Sequence, residues 1–152
     1  LYCCSTAAGS AFGPTASDYI ALVYARLQAG QLNKNGDRGT QPLQLAKAAI
    51  AAGILTLCDR AAVPLSAIER VYLAGGVTVT PQAARAIGLL PKALPDATDV
   101  GNGSLKGAIQ AAADPAFAAR VDAFAQKAVT VLPSLDPAFE KTYLNCIPLC
   151  PV

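Results

Sequence analysis

The chain has 152 residues and contains neither His nor Met, a length that suits one domain with a buried core. Hydrophobic residues make up 53% of it and charged residues only 14%, which excludes an intrinsically disordered chain. The net charge of +2 comes from scattered lysines and arginines, so we expect no nucleic-acid partner.

The most apolar stretch of the sequence, residues 46–57, is interrupted by Lys47 and Gly53. A membrane-spanning helix needs about 18 or more consecutive apolar residues, so we expect no membrane contact. The start of the chain lacks the basic lead and the long apolar core of a secretory signal. We therefore expect a cytoplasmic protein.

The first residues, LYCCSTAAGSAFG, are apolar at first and then small and rich in glycine. They fit a strand that leads into a tight loop of Ser, Thr and Gly. Such a loop brings hydroxyls and backbone N–H groups close to a phosphate. A turn made small only for packing fits the same composition, and the residues alone leave both interpretations open.

Two helices are predicted next, over residues 15–30 and 42–62. In the first, Ser17 or Asp18 is the expected N-cap, and apolar residues recur on one face. The second has a broad apolar stripe rich in alanine. Gly53 lies in that stripe and predicts close contact with another helix, because glycine otherwise weakens a helix interior.

A short continuous apolar run, residues 71–74, predicts a β-strand buried on both faces. It ends at Gly75 and Gly76, and Thr80 then caps a predicted helix over residues 81–87. A strand that breaks at glycines before a helix is a common way to bring backbone N–H groups to a nucleotide or phosphate. Many strands, however, end in glycine only to turn.

The second half of the chain continues to alternate between strand and helix patterns. Asp114 and Asp136, each followed by proline, are expected helix caps. The predicted strands are residues 97–100 and 129–132, and the predicted helices are residues 105–113, 115–128 and a short last one that begins at Pro137. This alternation predicts an α/β fold rather than a helical bundle.

Five cysteines are present: Cys3, Cys4, Cys58, Cys146 and Cys150. Their odd number argues against a disulfide framework. Cys146 and Cys150 have no second pair that would complete a four-ligand zinc site. We therefore interpret the cysteines as small buried apolar residues.

Six sequence stretches together carry a resemblance to a known family. The chain resembles the C-terminal domain of the ATP-dependent reductive activators of corrinoid proteins, which belong to the actin-like ATPase superfamily. The stretches follow the family's order, cover most of the chain, and are CSTAAGSAF (4–12), LQLAKAAIAAGI (43–54), IERVYLAGG (68–76), AARAIGLLP (83–91), VGNGSLKGA (100–108) and LDPAFEKTYLNCIPL (135–149).

The resemblance implies one lobe of an actin-like, ribonuclease H-like ATPase fold, with a short mixed sheet and Ala-rich helices. Members of the family use ATP to drive electron transfer to inactive cob(II)alamin on a corrinoid methyl-transfer protein. The implied cofactors are ATP and Mg, with an iron–sulfur cluster held in an N-terminal domain that this sequence does not include. The implied partner is a corrinoid protein of a methyl-transfer system, and a homodimer is a further expectation.

The resemblance also implies which residues contact the nucleotide. Gly75 and Gly76 match the pair that contacts adenosine in the superfamily, and residues 4–9 match a loop on the phosphate side. The VGNG turn lies next to this site in the family. The candidate cofactor-binding residues are therefore Ser5, Thr6, Gly9, Gly75, Gly76, Gly101, Asn102 and Gly103.

The sequence also departs from the family pattern. Residues 77–80 replace the usual continuation of the glycine pair, and the D-x-G-T phosphate loop, a CGSG-type segment and the four-cysteine cluster motif do not occur. We therefore expect residues 1–152 to form a single domain, the C-terminal part of a longer protein, without ATPase activity of its own.

Three functional hypotheses remain open from the sequence. The first is a lobe of a corrinoid-protein activator. The second is a stand-alone interaction or scaffold module that has kept the fold without turning over ATP. The third is an unrelated α/β enzyme with a reactive Cys3 or Cys4. With no His in the chain, such an enzyme would need Lys47, Lys106 or a carboxylate as its base.

Overall fold

The computed structural model describes residues 15–75 and 79–152. Within them, strands alternate with helices over residues 71–113, whereas before and after this unit helices follow one another without a strand between them. Two 3-10 helices, Leu65–Ala67 and Pro133–Leu135, lie in the connections. The elements are α1 (Ala16–Gln28), α2 (Gln41–Arg60), β1 (Val71–Ala74), α3 (Pro81–Ala86), β2 (Ala97–Gly101), α4 (Gly103–Ala113), α5 (Pro115–Ala125) and α6 (Pro137–Cys146).

Short polar side chains begin most of the helices. Asp114 and Asp136 cap α5 and α6 as predicted, each accepting a hydrogen bond of 2.9 Å from a backbone N–H two residues on. For α1 the predicted cap is wrong, because the N-cap is Thr15. Asp18 instead completes a capping box, and its carboxylate accepts the backbone N–H of Thr15 at 2.8 Å. The Thr15 hydrogen bonds lower the pKa of Asp18.

β1 and β2 form a parallel pair in which Val71 lies opposite Ala97 and Ala74 lies opposite Gly101. Parallel neighbours need a crossover connection, and the segment that contains α3 provides it. The prediction that β1 is buried on both faces is wrong, since Tyr72 is 57% exposed. The prediction of a strand over residues 129–132 is also wrong, because this segment forms no regular structure.

The core consists of three clusters of buried apolar side chains. One joins α1 to the end of α3, the second lies between α2 and α6, and the third lies beneath the strands. Their members are Ile20, Val23, Leu32, Ile87 and Leu149; Ala48, Ala51, Ala52 and Cys146; and Ala84, Leu90, Leu94 and Ala97. The burial of Cys146 confirms its interpretation as a small buried apolar residue, whereas Cys58 and Cys150 are only partly buried and Cys3 and Cys4 lie outside the described residues.

The contact between α2 and α6 depends on alanine. Ala48, Ala51 and Ala52 are fully buried on one face of α2, and Phe139 and Tyr143 of α6 pack against this cluster. Small side chains allow the helix axes to approach closely. The predicted close contact at Gly53 is wrong, because a Cβ added there would meet no atom within 4 Å.

By length and composition alone, α2 is apolar enough to cross a membrane. The core helix of a globular domain meets the same criterion. α2 buries Lys47 and packs its alanine face on α6, and these are the contacts of a core helix.

An Ala51→Leu substitution should lower the free energy of unfolding by about 1–3 kcal/mol, because three extra carbon atoms must fit between α2 and α6. Ala46 lies on the exposed side of the same helix, so Ala46→Leu should change the free energy by less than about 0.5 kcal/mol. Urea denaturation of both variants measures the difference. Equal effects of the two substitutions would contradict this account of the interface.

An ion pair also connects the C-terminal end of α2 with the N-terminal end of α6. Arg60 Nε donates to Asp136 Oδ2 at 2.7 Å, and Asp136 also caps α6. The hydrogen bond from Arg60, followed by the one from the Ala138 N–H, lowers the pKa of Asp136 below its ordinary value of 3.8. Asp136 therefore binds a proton less readily in the folded chain than in the unfolded chain.

The stabilisation that comes from this ion pair should be complete above pH 3.8 and be lost as the pH falls through the lowered pKa of Asp136. Asn is as good an N-cap as Asp, so Asp136→Asn removes the ion pair and keeps the cap. Its urea midpoint should be below that of the wild type at pH 7, and the two midpoints should converge under acid. The control is Asp114→Asn, because Asp114 also caps a helix but its Oδ2 lies 4.0 Å from the nearest arginine nitrogen, that of Arg120. This substitution should shift the urea midpoint much less at pH 7. A difference for Asp136→Asn that persists under acid would contradict the ion-pair account.

Candidate functional site

The two glycine motifs, although distant in sequence, meet at one edge of the sheet. The Gly75 N–H donates a hydrogen bond of 2.9 Å to the Gly101 carbonyl oxygen. Both residues stand at the carboxyl ends of the parallel strands, the edge where open α/β sheets bind ligands. We call this region, Gly75 together with residues 101–103, the glycine edge.

The backbone of the glycine edge requires glycine. Gly75 and Gly101 have φ values of +149° and +65°, conformations that other residues adopt only with strain. At Gly103, an added Cβ would lie 3.4 Å from the Cβ of Ala74, so α4 begins in contact with the end of β1. The motif therefore builds a close backbone junction between the two strands and α4.

The side chains around the turn hold its shape. Asn102 Oδ1 caps α4 by accepting the Leu105 N–H at 3.0 Å, and Asp99 Oδ1 accepts the Gly101 N–H at 2.7 Å. Lys106 Nζ donates to the Val100 carbonyl oxygen at 2.8 Å, which holds its positive charge near the turn. The positive end of the α4 dipole and the charge of Lys106 favour an anion at this edge, whereas the carboxylate of Asp99 opposes one.

An apolar pocket of about 170 Å³ lies between α1 and α3. Thr80, whose side chain caps α3 through the Ala83 N–H at 3.2 Å, lies at its rim. Val79 and Thr80 follow the glycine pair in the chain, so a short segment joins the pocket to the end of β1. The lining residues are Ser17, Ile20, Ala21, Tyr24, Val79, Thr80 and Ala83.

The structure brings together four of the predicted site residues: Gly75, Gly101, Asn102 and Gly103. The other four, Ser5, Thr6, Gly9 and Gly76, lie outside the described residues. No three His, Cys, Asp or Glu side chains gather as a metal-ligand set anywhere in residues 15–75 and 79–152. The pocket was not predicted, because the apolar face of α1 does not by itself show that α3 lies opposite it.

Of the two lysines considered as alternative bases, only Lys106 lies at the glycine edge. Lys47 lies in the core, with a side chain that is 1% exposed, and Nζ donates to the carbonyl oxygen of Pro148. Burial lowers the pKa of Lys47, and the neighbouring thiols of Cys150 and Cys146 oppose this effect.

Parallel strands that end in glycine, joined through a crossover helix and followed by a capped helix, define an α/β domain with a candidate ligand edge. Residues 34–150 match the model of the family described as the C-terminal domain of RACo, the ASKHA domain. The chain belongs to this family. The resemblance found in the sequence and the predicted fold class are therefore confirmed.

A solved structure described as a reductive activator for corrinoid, iron–sulfur protein is similar to this chain, with a TM-score of 0.80 and 27% sequence identity. The match covers 90% of this chain and 28% of that one, so the chain spans just over a quarter of its solved relative. No curated protein matches.

Gly101→Ala should lower the free energy of unfolding by about 1–2 kcal/mol, because alanine is strained in the left-handed conformation. The added Cβ meets only Lys106 Nζ, at 3.6 Å, so backbone strain should dominate. Gly107→Ala is the control, since Gly107 is helical with open space around an added Cβ, and it should stabilise by about 0.5–1 kcal/mol. Chemical denaturation measures both changes. If both substitutions changed the free energy of unfolding in the same direction, the left-handed backbone at Gly101 would be contradicted.

Proposed function

We propose that this chain is the nucleotide-contacting lobe of an ATP-dependent reductive activator of a corrinoid protein. The observation that carries the proposal is the hydrogen bond between Gly75 and Gly101, which joins two glycine motifs at the carboxyl edge of a parallel strand pair. Ligands of open α/β sheets bind at such an edge. Membership of the ASKHA family supports a nucleotide as that ligand.

The adenine ring of ATP fits the chemistry of the pocket between α1 and α3. Pockets for flat organic rings are mostly apolar with a few polar groups at the rim, and here the hydroxyls of Ser17 and Thr80 stand among apolar neighbours. The glycine edge lies next along the chain and lets a ligand approach the backbone closely. In this arrangement the base enters the pocket and the ribose faces the glycine edge.

The phosphates would then lie toward the N-terminus of α4 and the charge of Lys106, with Ser5, Thr6 and Gly9 as the proposed hydroxyl and backbone contacts. ATP would carry Mg²⁺ with it, and phosphoryl transfer depends on positioning and on neutralised charge. The D-x-G-T loop and the cluster domain belong, in this proposal, to a longer polypeptide such as the relative of which this chain covers 28%. The corrinoid protein would be the partner of that whole protein.

Calorimetric titration with adenosine, ADP and Mg-ATP tests the proposal directly. Ala21 lines the pocket and is exposed, so Ala21→Phe should fill the pocket without disturbing the core. We expect all three ligands to release heat with the wild type and to bind Ala21→Phe about tenfold or more weakly. Ala25 lies one turn further along α1, is exposed and does not line the pocket, so Ala25→Phe should bind as the wild type does.

Two results would overturn this assignment. One is the absence of heat from all three ligands with a chain that circular dichroism shows to be folded. The other is equal weakening by Ala21→Phe and Ala25→Phe, which would place the ligand outside the pocket.

One observation favours the interaction module as a second candidate. Neither α4 nor α5 has a buried residue, and Leu105, Ile109 and Phe124 are 56%, 62% and 78% exposed. Large exposed apolar patches mark protein interaction sites. In this alternative the exposed apolar side chains of α4 and α5 bind a second copy of the chain. Light scattering should then show a dimer that Ile109→Glu and Phe124→Glu convert to a monomer. A wild-type monomer at high concentration would contradict a dimer through this face.

A further inference from the structure

Residues 147–152, which follow α6, cross the core and contact three separate parts of the chain. We call this segment the strap. The Leu149 N–H donates to the Lys34 carbonyl oxygen at 2.6 Å, before α2, and the Lys92 N–H donates to the Val152 oxygen at 2.7 Å, after α3. These bonds join the strap to segments that are far apart in sequence.

The buried Lys47 ties the strap to α2. Its ammonium is withdrawn from water, and such a charge is expensive to bury unless hydrogen bonds compensate it. The Pro148 carbonyl oxygen of the strap accepts a hydrogen bond from Nζ. The seated strap therefore compensates the burial of Lys47, and Lys47 in turn holds the strap in place.

The strap also lies against the end of α3. Gly88 follows the last turn of α3, and its φ is +75°. A Cβ added to Gly88 would lie 2.1 Å from the Cys150 carbonyl oxygen and 3.1 Å from Lys47 Nζ. The close approach of strap, lysine and helix end therefore requires glycine here.

Two of the elements that the strap contacts, α1 and the end of α3, belong to the walls of the apolar pocket. Leu149 is 3% exposed and belongs to the cluster that contains Ile20 and Val23 of α1 and Ile87 at the end of α3. Ile20 also lines the pocket. A single strap side chain thus packs in the same cluster as residues of α1 and of the end of α3.

We propose that the strap is a conformational latch that sets the spacing of the pocket walls, with Lys47 as the positioning residue that holds the latch closed. Release of the strap removes the contacts of Leu149 with α1 and the end of α3 and frees the end of α3 at Gly88. The latch rests on the contacts of the strap, whereas its effect on a ligand rests also on the proposed function.

Hydrogen exchange on a Lys47→Met variant tests the latch, because Met keeps the apolar stem and loses the donor. We expect exchange at the Leu149 and Lys92 amides to accelerate about tenfold or more. The Ile87 amide, at the end of α3, should accelerate with them, whereas amides in the middle of α4 should not change. The matched control is Lys106→Met, because Lys106 Nζ also donates to a backbone carbonyl oxygen but does so on the surface; it should leave all three amides unchanged.

Thiol labelling gives an independent readout of the same opening. Cys146 is 1% exposed at the end of α6, directly before the strap, whereas Cys58 is partly exposed on α2. Mass spectrometry after treatment with iodoacetamide should show faster labelling of Cys146 in Lys47→Met and an unchanged rate at Cys58.

A second variant, Gly88→Ala, and its control, Gly30→Ala, test the strap independently of Lys47. Gly88→Ala should open the strap, because the new Cβ overlaps the Cys150 carbonyl oxygen. Gly30→Ala carries the same kind of strain, with φ at +68°, but its Cβ would meet no atom within 4 Å. We expect Gly88→Ala alone to reproduce the exchange pattern of Lys47→Met.

Each remaining outcome contradicts the latch. Unchanged exchange at Leu149 and Lys92 in Lys47→Met shows that the lysine does not hold the strap. Faster exchange in the strap with an unchanged Ile87 amide shows that the strap does not set the pocket walls. Global unfolding of both Lys47→Met and Gly88→Ala, with Gly30→Ala intact, shows that the strap supports the whole fold. None of these readouts needs a nucleotide, so a failed titration would not be mistaken for a failed latch.

Discussion

The close contact of α2 with α6 is the constraint on which the rest of the structure depends. Ala48, Ala51 and Ala52 let α6 lie near the axis of α2, and α6 ends directly in the strap. The position of α6 thus determines where Leu149 enters the core between α1 and the end of α3. Larger side chains on α2 would move α6 and with it every contact of the strap. A contact between small residues of α2 and α6 therefore affects where the strap meets α1 and the end of α3.

The glycine edge and the pocket lie over two different clusters of buried side chains, and α3 contributes residues to both clusters. Ala84, on one side of α3, belongs to the cluster beneath the strands, which contains Leu90 and Ala97. Ile87, one turn later, belongs to the cluster that holds Leu149. A two-stranded sheet is only marginally stable by itself, so β1 and β2 rely on the first of these clusters. Because α3 is short and contacts both, a shift in one core changes the other half of the candidate site.

Local signals explain what the sequence could predict. Caps such as Thr80 and Asp136, and the glycine ends of β1 and β2, depend on neighbouring residues, and their positions were predicted correctly. The prediction of a strand over residues 129–132 is wrong, because an apolar run of β-forming residues becomes a strand only where a neighbouring strand pairs with it. The exposure of Tyr72 and the burial of Lys47 depend on contacts between distant segments. The pocket could not be predicted for the same reason, since its two walls, α1 and α3, are distant in sequence and meet only in the folded chain.

α4 connects the two surfaces of the domain for which functions are proposed. Its first residue, Gly103, lies against the end of β1 at the glycine edge, and its side carries the exposed Leu105 and Ile109. An α-helix of this length is stiff, because each residue rises only about 1.5 Å and is held by backbone hydrogen bonds. A ligand that moved the turn around Asn102 would move the apolar face as one body. The turn at Asn102 and the apolar side of α4 therefore keep a fixed position relative to each other, because the Asn102 side chain caps the same helix.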